Sequence, residues 1–509
     1  MNRFFLSTLA LIALSAGLSS CLENGLSVGT TGEAAKPPAD QPTAGTSVVR
    51  VNATDQGYNF IRPWEKMGPV TRKGLGAVLP NNQVLVTAEL VADNTYIELE
   101  KADSGEKTPA KVIGVDYEVN LALVAPNDPE STFLDDMKPL ELDLSVEAGD
   151  ELEVWQLEDN GTPASTTGTV IKVSIGRYFV DGSYFLNYLL RGSLQYRAGS
   201  FTLPVVKDGN LVGLLLSYSS KELTSDIISA PIIKHFLNDL ADGEYAGFPN
   251  LGISYAPMLD EQLRKYMKLN GHEGGIYVRR VAKDGSAKAA GMEVGDVLLE
   301  VNGHPIDSRG NYDHPKYGKL NFSHLVRGEP EVGQQIPIKI LRDGEVMEME
   351  LALLRKNPED YLVDPYMFDR GPRFLIMGGI IFQELTLPYL KAWGDSWATR
   401  APFKLVHAHA HQDVYEDEGR EKLVILSAVI LSPSTVGYDK LNNVIVTNVN
   451  DQPINSIRDL KTAFDSPIDG IHKIEFDDFP KVIYVDAKAA EASNERFQSL
   501  GISQLERLD

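Results

Sequence analysis

The chain has nine histidines among 509 residues, and none of them precedes His235. The chain before His235 therefore has no imidazole, the side chain best suited to exchange protons near neutral pH. Cysteine is scarcer still. Cys21 is the only one, which excludes an intramolecular disulfide. Lys and Arg number 48 against 71 Asp and Glu, and the net charge of −23 speaks against nucleic acid and against adsorption to an anionic bilayer. Beyond the N-terminal region no apolar run is long enough to span a membrane. What remains is an acidic chain with room for about three domains at roughly 150 residues each.

The one long apolar run is Phe4 to Leu18, preceded by Arg3. It is too short and too quickly ended for a spanning helix and reads as an export signal over residues 1–20. It leads into Leu18-Ser19-Ser20-Cys21, which resembles the bacterial lipobox. That resemblance implies diacylation of Cys21 and a lipid anchor at a membrane surface. Leu22 rather than Asp follows, which under enterobacterial sorting favours the outer membrane and its periplasmic face. Residues 21–46, rich in Gly, Ser, Thr, Pro and Ala, read as a flexible tether.

Residues 47–245 carry short apolar or alternating runs separated by Gly, Asn and Asp turns, the pattern of an all-β barrel or sandwich. Gly76–Leu79, Gln83–Thr87, Asn120–Val124, Glu151–Gln156 and Leu211–Tyr218 are examples, and a helix is expected over Pro231–Leu240. Leu75 to Thr87, Asn120-Leu121-Ala122-Leu123-Val124 and Gly199-Ser200-Phe201-Thr202-Leu203-Pro204 together resemble the HtrA (Deg) serine proteases. The resemblance implies a trypsin-like double β-barrel, and it also locates the family's catalytic positions. The histidine position falls on Glu89, the aspartate position on Asn120 and the serine position on Phe201. Phe201 has no nucleophilic atom, and Asn120 cannot stabilise an imidazolium as a carboxylate does. An ordinary carboxyl, with a pKa near ~4.3, is a poor general base for serine. A serine–lysine dyad of Ser200 and Lys207 remains as an alternative route to hydrolysis.

From residue 246 the pattern changes. Gly274-Gly275-Ile276-Tyr277-Val278, Ser286 to Met292 and Val294 to Ile306 are similar to the PDZ domains that follow HtrA proteases, which places one such module at 246–356. A weak echo, Asn443 to Ile454 with Gly378-Gly379-Ile380 upstream, marks a second module at 357–509. It is similar to the variant C-terminal PDZ of plant and bacterial Deg proteases, with a helical insertion at Thr386–Gly394. The fold class implied is mainly β with α elements, a double barrel followed by two α+β domains. PDZ recognition adds a peptide to a strand edge while backbone amides receive its terminal carboxylate. By position the first module's loop is Gly274, Gly275 and Ile276, its receiving strand holds Tyr277 and Val278, and Phe322, Leu325 and Val326 line the side-chain pocket. In the second module Gly378, Gly379 and Ile380 correspond. The partners implied are peptide or protein C-termini and unfolded segments, with self-association a further candidate. No motif calls for a cofactor.

His407, His409 and His411 precede an acidic run and are weak metal candidates: on a strand all three share a face, on a helix only His407 and His411 do. Three functional readings follow. The first is an inactive, membrane-anchored HtrA-like pseudoprotease that binds peptides as scaffold, adaptor or chaperone in the cell envelope. The second is an active envelope endopeptidase with a non-standard site. The third is a metal-responsive binding protein.

Overall fold

Many of the short apolar runs become strands buried on both faces. The computed structural model describes residues 41–194, 200–241, 243–269 and 271–509, with Ser200 and Phe201 described by backbone alone. The signal region, Cys21 and most of the expected tether lie outside the described residues. Six antiparallel strands close the first barrel: Val48–Asp55, Val70–Leu79, Gln83–Val86, Asn94–Glu100, Lys107–Asp116 and Leu121–Pro126. Successive side chains on a strand point to opposite faces. Val49, Val51, Val78, Val84, Val86 and Val124 fill this barrel. Their neighbours Val48, Ala77, Leu79, Leu85 and Leu123 join the apolar cluster that fills the second barrel. Two buried faces explain why these runs read as continuously apolar. Gly76 makes the closest approach: a Cβ there would lie 2.1 Å from Val84 Cγ1.

The second barrel closes from Glu151–Leu157, Pro163–Arg177, Tyr184–Arg191, Pro204–Lys207, Asn210–Ser219 and Thr224–Ser229. Helix Ala230–Leu240 follows and buries Ile232, Ile233 and Phe236. A helical turn, Ala44–Ser47, precedes the first strand with Ala44 and Ser47 buried. Packing thus begins before residue 47, inside the expected tether.

In the first α+β module the strand order is Ile253–Pro257, Ile276–Val281, Val297–Val301, Gln335–Arg342, Glu345–Ala352. Asn302 (φ 48°) and Gly303 (φ 77°) turn Val297–Val301 back into His304–Pro305. Two positive φ values in succession are what a tight hairpin demands, and Asn-Gly supplies them cheaply. A second hairpin, Asn311–His314 with Gly318–Asn321, leads into helix His324–Arg327. The second module orders its strands Val482–Asp486, Ile471–Phe476, Val444–Val449, Val424–Val429, Ile380–Glu384, Phe374–Met377, Glu506–Arg507. Its insertion is larger than the sequence indicates. Helices Leu387–Lys391, Trp397–Arg400, Phe403–Ala410 and Gln412–Asp417 form a satellite around Leu387, Tyr389, Leu390, Leu405 and Ala408.

Both modules are fastened to the first barrel through the turn Asp116–Asn120. Asp116, fully buried at its side chain, accepts from Tyr245 Oη at 2.7 Å and from Arg355 at 3.2 Å. Arg327 donates to Glu118 at 2.5 Å, with its guanidinium over the Phe185 ring. Tyr117 donates to Asp369 and packs on Phe368, 4.3 Å between ring centroids. Arg355→Ala removes the cation that balances Asp116. A buried carboxylate left without its partner costs about 3 kcal/mol, so the midpoint of chemical denaturation should fall. An unchanged midpoint would show that this pair does not hold the domains together.

Candidate functional site

The strand Gln83–Val86 ends at Thr87, and Glu89 sits in the single helical turn Ala88–Val91 that follows. Asn120, buried and at φ 55°, stands at the end of the Asp116–Asn120 turn. The two meet. Glu89 N–H donates to Asn120 Oδ1 at 2.9 Å, and Asn120 Nδ2 donates back to Glu89 Oε1 at 3.4 Å. The residue types fit each other. An aspartate at 120 would oppose the Glu89 carboxylate, whereas the amide offers it a donor. Arg72 donates to the Glu89 carbonyl and pairs with Asp55 at 3.2 Å. Burial pushes the Glu89 carboxyl above its ordinary range, opposed by the Asn120 hydrogen bond and the Arg72 charge.

The loop that carries the expected nucleophile returns to this corner. Ser200 and Phe201 pair in parallel with Lys73 and Gly74, and Leu75 N–H donates to Thr202 O at 3.1 Å. The Phe201 ring lies outside the described side chains. Thr202, at φ 50°, is the loop residue whose side chain is seen here. Its Oγ1 accepts from Thr87 N–H at 2.8 Å and lies 2.6 Å from Thr87 Oγ1. A cleft of about 380 Å³ is lined by Glu89, Asn120, Arg177, Tyr178, Phe179, Leu216, Ser217 and Asp226. Ser217 donates to Asp226 at 2.8 Å, so the hydroxyls of Thr87, Thr202 and Ser217 all have partners other than Glu89. Phe179 at the rim stacks on Phe368, 5.5 Å away, from the segment entering the second module. Asp369 and Asp93 exchange backbone N–H donations at 2.8 Å beside it. Lys207 Nζ is 2.8 Å from Asp150, and this bond holds the ammonium above its ordinary pKa. A general base for serine needs its pKa moved the other way, down toward neutrality.

The structure corrects both expected peptide loops. Adding a peptide strand needs an unpaired sheet edge. Strand Ile276–Val281, which holds Ile276, Tyr277 and Val278, pairs with Ile253–Pro257 on one side and Val297–Val301 on the other. Gly275 N–H donates to Ile306 O at 2.8 Å, and a Cβ on Gly274 would lie 2.1 Å from the same oxygen. That loop is pressed against Ile306 rather than open to a ligand. Gly378 (φ 62°) and Gly379 (φ 102°) are the two-residue turn between Phe374–Met377 and Ile380–Glu384. Gly378 N–H donates to Asn494 Oδ1 at 2.9 Å, and its carbonyl accepts from Ser432 and Ser434. Ile380 is internal, paired with Met377 and Val429.

Ile253–Pro257 is an outer strand of the first module; in the second, Phe374–Met377 is next to the edge, with the two-residue strand Glu506–Arg507 paired outside it. Beside Ile253–Pro257, Tyr255 stands edge-on to Phe322 at 5.3 Å and accepts from Asn321 Nδ2 at 2.9 Å. Met258 N–H donates to Ser308 O at 2.9 Å. Phe322, Leu325 and Val326 are buried in the core cluster, not arrayed around an open pocket. The space between edge strand and helix is bridged by the chain's own side chains.

The histidine tract is helical. The His407 and His411 rings lie 4.4 Å apart, tilted by 35°, while His409 turns to Trp397 and burial lowers its pKa. The three imidazoles do not converge, and among the described residues no cluster of three or more His, Cys, Asp or Glu could hold a metal. A grouping without a sequence signal lies elsewhere: His235, His314 and His324 line one cleft of about 740 Å³. Burial pushes His324 down to about 4, and its Nδ1 lies 2.7 Å from Tyr312 Oη.

A closed double barrel followed by two α+β modules is the layout of the trypsin-like proteases that carry PDZ domains. Comparison with known proteins gives the same class. Residues 249–353 and 363–503 each match a PDZ domain family. The chain is 27% identical over 457 residues to Protease Do-like 2, chloroplastic, of Arabidopsis thaliana, spanning 88% of this chain and 72% of that one. It is 22% identical over 392 residues to the periplasmic serine endoprotease DegP of Salmonella typhimurium, spanning 75% and 69%. A solved structure of a variant of the HtrA-type protease AlgW with a decapeptide has 18% identity and a TM-score of 0.49. It covers 61% of this chain and 95% of that one. In domain order the chain is similar to these Do-like and DegP proteases.

Because burial favours the neutral form of Glu89, its contribution to stability is full below the ordinary carboxyl pKa and fades as pH rises through the raised value. Glu89→Gln keeps an amide opposite Asn120 and cannot ionise. The variant should melt higher than the parent at about pH 8, with the gap closing towards about pH 4. A gap that ignores pH would separate Glu89 ionisation from stability.

Proposed function

We propose that the chain is an HtrA-like pseudoprotease of the bacterial cell envelope, anchored by a lipid on Cys21, that binds peptide termini or unfolded segments without cleaving them. The observation that carries this reading is the reciprocal Glu89–Asn120 pair at the end of the first-barrel strand. Serine hydrolysis on this fold needs a base that can accept the hydroxyl proton and return it to the leaving amine. Here the base position is a carboxyl engaged with an amide, and no histidine lines the cleft. Lys207, the remaining base in the alternative dyad, is committed to Asp150. The two PDZ domains supply recognition, so the retained work is binding, in the manner of a scaffold, adaptor or chaperone. The named relatives are proteases, and the chain shares their fold while its cleft residues support a different use.

The purified protein should leave unfolded casein intact and should not react with a fluorophosphonate probe. Cleavage that disappears in Ser200→Ala would overturn the reading. For the anchor, cells expressing the protein should incorporate labelled palmitate into it and carry it in the membrane fraction. Cys21→Ser should lose both the label and the membrane association; persistence of either would exclude lipidation at this residue.

A further inference from the structure

The outer edge of strand Phe374–Met377 in the second module is occupied, and the occupant comes from the same chain. After helix Ala487–Ser499 ends, Gly501 (φ 103°) turns the backbone, and the segment from Ile502 onward runs back along that edge. Arg507 pairs antiparallel with Phe374 and Glu506 with Leu375, and Ile376 N–H donates to Leu505 O at 2.8 Å. On its other side lies helix Ile457–Phe464. Lys461 pairs with Glu506 at 3.0 Å, and Arg458 Nε donates to Leu508 O at 3.2 Å. Leu508 packs on the cluster containing Leu375, Ile457 and Leu460. Arg507 lies over the Tyr58 and Phe374 rings and donates to Pro372 O and Pro63 O.

This is how an extended peptide sits between a strand edge and a helix: backbone bonds on one side, alternate side chains taken up by the groove. The segment is held by surface contacts and not by burial. None of residues 502–509 is buried, and the ladder itself is two residues long. A strand integral to the core buries at least one face, as Ile380–Glu384 does throughout.

We infer that the groove between Phe374–Met377 and helix Ile457–Phe464 is an exchangeable peptide-binding site, occupied in this form by residues 505–508. This rests on the peptide-binding reading and narrows it to one groove and one ligand class. The ligand is an extended segment with the alternation found here: an apolar residue, an acidic one facing Lys461, a basic one over Tyr58 and Phe374, and a second apolar residue packing on the cluster of Leu375, Ile457 and Leu460.

The test compares the full chain with a version ending at Gly501, using fluorescence anisotropy of a labelled peptide of sequence Ile502–Asp509. The shortened chain should bind it, and the full chain about tenfold more weakly because its own segment competes. Lys461→Glu in the shortened chain should weaken binding, and a peptide carrying Glu506→Lys should restore it. Equal affinity for both chains, or no binding by a shortened chain with unchanged melting, would overturn the inference. Should shortening unfold the module, amide exchange in the intact protein decides. Ile376 N–H should exchange far faster than the Phe382 amide of the interior strand, and equal protection would make the segment part of the fold. Binding of reduced, unfolded α-lactalbumin is measured alongside. Capture of that protein without capture of the segment peptide overturns this inference alone; capture of neither overturns the peptide-binding reading as well.

Discussion

Three of the five side chains in the turn Asp116–Asn120 hold other parts of the molecule to the first barrel, and a fourth, Asn120, fixes Glu89 within that barrel. Asp116 takes Tyr245 and Arg355, Tyr117 takes Asp369 and Phe368, Glu118 takes Arg327, and Asn120 takes Glu89. Asp116 also braces the turn itself by accepting from Glu118 N–H at 2.7 Å. Asp116 and Asn120 are buried and the Glu118–Arg327 pair is largely so, which makes these groups costly to leave unpaired. Burial raises the Glu118 pKa even with the Arg327 guanidinium beside it. The domain arrangement and the cleft geometry therefore share one local constraint. A shift of this turn would disturb Glu89, the first module's helix and the entry to the second module together.

How much of this was legible beforehand differs by the range of the interactions concerned. The barrel strands depend on local apolar pattern and turn residues, and they read correctly from residues alone. The meeting of Glu89 with Asn120 was legible only through the family resemblance, because nothing in residues 31 positions apart signals contact. The peptide edges were misread for a related reason. Gly274-Gly275 and Gly378-Gly379 look alike, yet one is packed under Ile306 and the other is a tight hairpin turn. Which strand lies outermost in a sheet is decided by long-range pairing, and a glycine pair carries no record of it. The histidine tract became helical inside an insertion that builds its own apolar satellite. The cleft that gathers His235, His314 and His324 draws on two domains.

The two α+β modules treat their sheet edges alike. In the first, Tyr255, Asn321 and Phe322 bridge the gap to the helix. In the second, the strand Glu506–Arg507 lies along the edge. An exposed strand edge invites pairing with other chains, and covering it is one way proteins prevent this. Here the coverings are themselves tied to the barrels, through Arg327 on the helix in the first module and through Arg507 at Pro63 in the second.

The position of Glu506–Arg507 has a consequence for dose. A segment joined to its own groove by a short connection acts as a competitor at an effective concentration of order mM, whatever the amount of protein present. Such a tether shifts half-occupancy to a higher peptide concentration, and the residues after Gly501 would set the size of that shift.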